Sequence, residues 1–358
     1  MLSARKAVQN LQEYHPPLAR RDGLRLDFNE NVEGCSPRVL ERLQKITADD
    51  LARYPEREPV EALVAAHLGL SRDQVLLTNG VDEAIHLLCE TLLEPADDVL
   101  VVTPTFSMYE IYAGATGARL IRVQCEADFR FPFAKVLAGI TPATRLIAVA
   151  SPNNPTGTAV PLEELLALAK AAPDAAILVD EAYFEFHGET VIRDVGEFEN
   201  LFVTRTFSKA YGLAGLRVGV LAGPGNLMPS VRRVSSPYSV NAVALAVLPA
   251  ALADGDHVSR YVAQVQNGRE RLAGELSALG LYSWPSRANF LLVRIGPKHR
   301  EFVLAMRQHG ILVRDRSADP GCEGCVRITV GSDAQTSQLL AALREIACAL
   351  ELNRKVTA

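Results

Sequence analysis

Between residues 75 and 206 the chain repeats one pattern. A short run of Val, Ile and Leu, apolar at every position, is followed by a longer segment with helical spacing. The runs are Val75-Leu-Leu, Val99-Leu-Val-Val, Leu146-Ile-Ala-Val, Ile177-Leu-Val and Leu201-Phe-Val. The segments between them place apolar residues on one helical face, as Ile85, Leu88 and Leu92 do. A strand that is apolar on both sides has no face for water and must be covered above and below. Strands of this kind alternating with helices form a mostly parallel sheet with helices on both faces, so the chain is α/β.

With 358 residues the chain is long for a single core, and a second, smaller domain is expected. The texture changes after Gly225. Helical stretches at about 241–252 and 256–279 lead into Asn289-Phe-Leu-Leu-Val-Arg, Ile311-Leu-Val-Arg and Cys325-Val-Arg-Ile-Thr-Val. A helix at 297–309 separates the first two of these strands, and another begins at Asp333, which describes an α+β unit. At the other end, Tyr14-His-Pro-Pro17 favours an extended arm. Ser36-Pro37 is a cap and first-turn pair for a helix to about 47, and Pro59 opens a second helix that Gly69 ends. The expected division is an arm at 1–35 packed with the small domain, a large domain at 36–240 and the small domain at 241–358.

Composition removes several classes of function. Lysine plus arginine minus aspartate plus glutamate is 37 − 42 = −5, so the totals imply no basic face for nucleic acid. The opening Met-Leu-Ser-Ala-Arg-Lys has no apolar core of a signal peptide, and the apolar run at 242–253 is short and broken by Pro249. No membrane segment is expected. Six scattered cysteines fit reduced thiols in a cytoplasm. Cys322-Glu-Gly-Cys325 has no second pair and no histidine cluster beside it, so no metal centre is expected.

Ligands of open parallel sheets bind at the carboxyl ends of the strands, so the polar residues there carry the most weight. The run ending at Thr78 passes into Asn79-Gly-Val-Asp-Glu83 and a helix. A glycine at a helix mouth exposes free N–H groups to an anion, although Asp82 and Glu83 are also ordinary first-turn residues. The run ending at Val149 passes into Ser151-Pro-Asn-Asn-Pro-Thr-Gly157, a loop stiff enough to aim the amide of Asn153 or Asn154, or simply to turn. The run ending at Val179 meets Asp180, Glu181 and Tyr183. A carboxylate there either caps the next segment or pairs with a buried cation, such as a protonated ring nitrogen. After Leu201-Phe-Val come Ser208 and Lys209, with Arg217 eight residues beyond the lysine. Lys209 is either a surface residue at a strand end or an amine on a pocket floor, where desolvation makes it a nucleophile. Together these groups offer an amine nucleophile, a carboxylate for a ring nitrogen, amide and phenol donors, and phosphate ligands. That set is what pyridoxal 5'-phosphate requires.

From about Tyr14 to Gly331 the chain resembles the fold-type I pyridoxal-phosphate aminotransferases, most of all those acting on histidinol phosphate. The motifs that carry the resemblance are Asn29-Glu-Asn31, Arg53-Tyr-Pro55, Asn79-Gly-Val-Asp-Glu83, Pro104-Thr-Phe-Ser-Met-Tyr109, Ser151-Pro-Asn-Asn-Pro-Thr-Gly157, Asp180-Glu-Ala-Tyr183, Thr206-Phe-Ser-Lys-Ala-Tyr-Gly-Leu-Ala-Gly-Leu-Arg217 and Val326-Arg-Ile-Thr-Val-Gly331. The resemblance implies that Lys209 bonds the cofactor and then moves the proton. It implies that Asp180 holds the ring nitrogen, Asn154 and Tyr183 the 3′ oxygen, and Ser208, Arg217 and the amides of Val81 and Asp82 the phosphate. Phe106, where many members have Tyr, would lie on the ring face. Tyr54 would reach the cofactor of a second subunit, giving a homodimer with shared sites. Arg327 resembles the arginine that forks onto a substrate carboxylate, and Arg314, Tyr14 and Asn31 would complete the substrate site. Val32 and Cys35 stand where the family usually has proline, which implies a differently shaped entrance arm. The expected reaction is transamination between histidinol phosphate and 2-oxoglutarate. An aromatic or broad-range aminotransferase and a threonine-phosphate decarboxylase are the rival enzymes. A cofactor-binding transcription regulator would need a DNA-binding segment for which the arm has no room.

Overall fold

The computed structural model describes residues 2–15 and 22–352. Seven strands form the large sheet, in the order Val75–Thr78, Gly219–Ala222, Leu201–Thr206, Ala176–Asp180, Thr144–Ala150, Asp98–Thr103, Arg119–Gln124. Only Gly219–Ala222 runs against its neighbours, so the sheet is mostly parallel, as the pattern predicts. Successive residues of one strand feed opposite cores, because side chains alternate across a sheet. Leu146, Ala148 and Leu178 join the core under helix Gly80–Leu92, whereas Ile147, Val149, Ile177 and Val179 join the one under helix Leu162–Ala171. The edge strand Arg119–Gln124 has no counterpart among the apolar runs. Its sequence mixes polar with apolar residues, and Arg119, Arg122 and Gln124 are exposed.

The carboxy-terminal part builds a four-stranded antiparallel sheet in the order Arg314–Asp315, Cys325–Thr329, Phe290–Arg294, Tyr282–Ser283. Helices Gly255–Ala278 and His299–Gln308 pack against it, and Asp333–Ala349 packs on these two helices. The strand expected over 311–314 is divided. Ile311–Leu312 pairs in parallel with Leu24–Arg25 of the amino-terminal arm, and Arg314–Asp315 pairs with Cys325–Thr329. The arm is further tied down by Thr329, whose N–H donates to the Leu26 carbonyl.

Two local expectations shift. The helix capped by Ser36 stops at Leu43, because Thr47 and Asp50 form a capping box that starts a separate helix, Ala48–Ala52. The arm contains a single turn of helix, Lys6–Gln9, and its Pro16-Pro17 lies outside the described residues. Gly69 ends helix Glu58–Leu68 in the left-handed conformation, φ +73°. Among the described residues no single helix is long and apolar enough to cross a membrane.

Candidate active site

A cavity of about 300 Å³ opens at the carboxyl ends of the central strands, against the arm and the four-stranded sheet. Every site residue named from the sequence lines it except Tyr54 and Asn31. Its chemistry divides into a carboxylate, an amine, a helix mouth and a group of guanidiniums.

Asp180 is the last residue of its strand and is 5 % exposed. Its Oδ2 accepts from the Tyr109 hydroxyl at 2.5 Å, and its Oδ1 accepts from the Thr204 hydroxyl at 3.0 Å and the Ala182 N–H at 3.2 Å. Burial raises the carboxyl above its ordinary value, while these donors pull it back toward the ionised form. The Tyr109 phenol is pushed well above its ordinary value by burial and by the Asp180 charge, so it stays a donor. The strand-end aspartate thus closes the turn that follows it through the Ala182 N–H, and among the described residues it has no charged partner. It is an acceptor held in place for a further donor. Neither Tyr109 nor Thr204 was singled out from the sequence. Tyr109 sits at helical spacing and reads as core, and nothing local places it against a residue 71 positions away.

Lys209 follows strand Leu201–Thr206 in a loop closed by the Phe207 N–H donating to Val218 and the Leu213 N–H donating to Phe207. Its Nζ donates to the carbonyl of Phe28 in the arm at 3.0 Å. Desolvation, with smaller repulsion from Arg327 and Arg217, lowers the amine from 10.5 to about 8. An amine of that kind is a competent nucleophile near neutral pH. The pocket-floor reading of Lys209 is the one its geometry supports.

The helix mouth is at Gly80, where φ is +77° and a Cβ would come within 2.6 Å of Arg217 Nη2. Only glycine lets the guanidinium approach there. Asn79 gives no side-chain bond to the first turn, which leaves the opening amides of Val81 and Asp82 to face the cavity. Arg217 itself has φ +53° and bonds Asp82 Oδ2 at 3.1 Å. Glu83 accepts from the Asn79 N–H at 2.5 Å and so plays the plain first-turn part.

The two adjacent asparagines separate cleanly. Asn153 is a strut whose amide donates to the Pro104 carbonyl and Thr156 and accepts from Thr105. Asn154 faces the cavity and accepts from Arg327 Nη1. The Tyr183 hydroxyl accepts from Asn29 Nδ2 at 2.8 Å. Asn29, in the left-handed region at φ +55°, lines the cavity, whereas Asn31, expected at the substrate site, does not. The Asn31 side chain instead closes a turn, donating to the Ala210 carbonyl and accepting from the N–H groups of Glu33 and Gly34. Tyr54 is 78 % exposed and stacks on Tyr238, with ring centroids 4.3 Å apart. Phe106 lines the cavity and meets Tyr109 edge-on.

Arg314 and Arg327 are direct cross-strand partners. Arg327 is 5 % exposed and donates to the Asp27 carbonyl at 2.6 Å as well as to Asn154. Its Nε–H is buried without an acceptor among the described residues, and burial lowers the group to about 10. Arg314 lies 3.5 Å from the Tyr14 hydroxyl. Arg316, not singled out from the sequence, also lines the cavity.

The donor set fits pyridoxal 5'-phosphate on these grounds. A buried carboxylate, an amine of lowered basicity, a glycine-opened helix mouth beside an arginine, and a buried N–H lacking an acceptor surround one cavity. No group of three or more His, Cys, Asp or Glu able to hold a metal is found among the described residues.

Residues 21–343 match the model of the family "Aminotransferase class I and II". A histidinol-phosphate aminotransferase of Dehalococcoides mccartyi is 35% identical over 325 residues, 90% of each chain. Another, from Moorella thermoacetica, is 36% identical over 344 residues, 94% of this chain and 88% of its own. The solved histidinol-phosphate aminotransferase of Sinorhizobium meliloti, in complex with pyridoxal-5'-phosphate, superposes with a TM-score of 0.88 at 27% identity, covering 96% of this chain and 97% of that one. The aspartate aminotransferase of Thermus thermophilus shares the fold, at a TM-score of 0.82. The chain thus belongs to the class I and II aminotransferases, and within them to the histidinol-phosphate aminotransferase family.

Proposed function

We propose that the enzyme transfers the amino group of L-histidinol phosphate to 2-oxoglutarate by a ping-pong route, yielding imidazole-acetol phosphate and L-glutamate for histidine biosynthesis. The cofactor is pyridoxal 5'-phosphate, which supplies an electron sink conjugated to the substrate amine. Asp180, ionised with the help of Tyr109 and Thr204, keeps the ring nitrogen protonated so that the sink stays strong. Asn154 and Tyr183 orient the 3′ oxygen. Ser208, Arg217 and the Val81 and Asp82 amides hold the phosphate, and Phe106 covers a ring face. Lys209 Nζ takes the proton from the substrate carbon that bears nitrogen and returns it on the far side of that nitrogen.

The observation that carries the substrate reading is the pairing of Arg314 with Arg327 across two strands, beside Tyr14. Like charges opposed in this way suit a strongly anionic substrate group, which a phosphate supplies and an aromatic side chain does not. A half-reaction screen tests it. The pyridoxal form, mixed separately with histidinol phosphate, phenylalanine, aspartate and threonine phosphate, converts fastest to the pyridoxamine form with histidinol phosphate. A faster reaction with phenylalanine, or carbon dioxide released from threonine phosphate, overturns the assignment.

Three further points belong to the same reading. The enzyme is a homodimer with shared sites, supported by the exposed Tyr54–Tyr238 stack and by Leu51, exposed three residues before Tyr54. Tyr54 would then act on the neighbouring subunit's cofactor. The enzyme works in the cytoplasm, in keeping with six cysteines that are all free thiols. The chain divides into the arm 1–35, a cofactor-binding domain 36–240 and a small domain 241–358 whose arginines meet the substrate; residues 353–358 lie outside the described ones.

A further inference from the structure

The pairing of Arg314 with Arg327 continues one step further along the ladder. The Arg316 N–H donates to the Cys325 carbonyl at 3.0 Å, which extends the antiparallel register of Arg314–Asp315 against Cys325–Thr329. Side chains two apart on a strand share a face, so Arg316 lies on the same face as Arg314 and its cross-strand partner Arg327. All three line the cavity. Three guanidiniums on one face of a small sheet repel one another, and the repulsion reaches the buried member, since Arg316 and Arg314 both lower the basicity of Arg327.

Their neutralisation is incomplete. Among the described residues Arg316 has one carboxylate partner, Asp319, three positions on, and neither Arg314 nor Arg327 has a carboxylate within ion-pair distance. Three positive charges against one negative leave a surplus of two. Arg316 is also held close. Its side chain is 15% exposed, and its Nε–H, like that of Arg327, is buried with no acceptor among the described residues. A buried N–H lacking an acceptor is costly, and an incoming oxygen relieves it. A phosphate monoester brings two negative charges and three terminal oxygens. A carboxylate brings one charge and two oxygens.

We propose that Arg316, latched by Asp319, is a specificity-determining residue that makes the substrate end prefer a phosphate dianion to a carboxylate. The inference rests on the phosphorylated-substrate reading above and adds a residue to it. Arg316 acts on the non-reacting end of the substrate. Its loss therefore weakens binding of the phosphorylated partner and leaves the proton transfer at Lys209 unchanged.

The test uses the holoenzyme in single-turnover half-reactions with histidinol phosphate and with glutamate. Arg316→Gln raises the half-saturating concentration of histidinol phosphate roughly tenfold or more, the loss expected for a charged hydrogen bond. That of glutamate and both maximal rates stay within about threefold, and Arg316→Lys, which keeps the charge, restores part of the loss. Equal losses for the two substrates, or none, overturn the proposal. So does a lysine variant no better than glutamine while the bound cofactor's absorption is native. Competition keeps this result separate from the substrate assignment. Against glutamate, inorganic phosphate should inhibit the native enzyme more strongly than acetate does, and Arg316→Gln should remove that difference. If the native enzyme ignores histidinol phosphate but shows the phosphate preference, the assigned reaction is wrong and the role of Arg316 stands. If the preference is absent, or survives the substitution, the role falls.

Discussion

At the scale of single residues, desolvation moves two cavity-lining groups, Lys209 and Asp180, away from their ordinary basicity. Burial lowers Lys209 from 10.5 to about 8, so at pH 7 most of the apoenzyme's amine is protonated and at pH 9 most is neutral. Covalent capture of the cofactor's aldehyde should therefore accelerate about tenfold between pH 7 and 9 and then level off. Stopped-flow absorbance checks this, and a rate still climbing steeply toward pH 10.5 would mean an ordinary lysine. The same group affects stability with a definite sign. Because its folded value lies below the unfolded one, its cost is full below pH 8 and is relieved as pH rises from 8 to 10.5. Asp180 depends in turn on Tyr109, whose hydroxyl is 2.5 Å away. Tyr109→Phe keeps the ring and removes a donor to a charged group, a loss of about 2 kcal/mol of support for the carboxylate. The expected result is a displaced spectral titration of the bound cofactor, with a turnover loss of roughly tenfold. An unmoved titration would leave Tyr109 a packing residue.

Among the elements, helix Gly80–Leu92 shows how one backbone position serves a site. Gly80→Ala forces a side chain into φ +77° and sets its Cβ 2.6 Å from Arg217 Nη2. The backbone strain alone costs about 1 kcal/mol, and displacing Arg217 should weaken cofactor retention roughly tenfold. Dialysis followed by absorbance measures the retention; Glu90→Ala, at the exposed far end of the same helix, should leave it unchanged. This helix and the strands around it were legible in the sequence, because fully buried parallel strands read as unbroken apolar runs and Gly80 stands directly after one. The edge strand Arg119–Gln124 was not legible, since half of it faces water. Nor was the division at Val313, where one run supplies strands to two sheets. Within the site, Lys209 and Asp180 stood out because polar residues at the ends of apolar runs are conspicuous. Tyr109, Asn29 and Arg316 did not. Asn29 meets Tyr183 across 154 positions, Arg327 donates to Asp27 across 300, and pairing at such separations leaves no local trace.

For the whole molecule, the decisive question is whether one chain completes its own site. Tyr54 does not line the cavity of its own chain, and it stacks outward on Tyr238, which is 52% exposed. A two-fold dimer repeats each contact reciprocally, so a Tyr54 that reaches across would do so in both directions. This makes an arithmetic prediction about mixed subunits. Lys209→Ala and Tyr54→Ala homodimers are each impaired at both sites. In a mixed dimer with shared sites, one site receives both lesions, and the other combines an intact Lys209 from one subunit with an intact Tyr54 from its partner. Equal mixing makes about half the dimers mixed, each with one intact site of two, so activity returns to about a quarter of the native value. If Tyr54 serves its own subunit, each site of the mixed dimer keeps one lesion and activity remains the average of the two parents. Turnover in mixed dimers isolated by differential tags, about half the native value per dimer if sites are shared, separates these outcomes, because the two arrangements contain the same residues and differ only in which subunit supplies them.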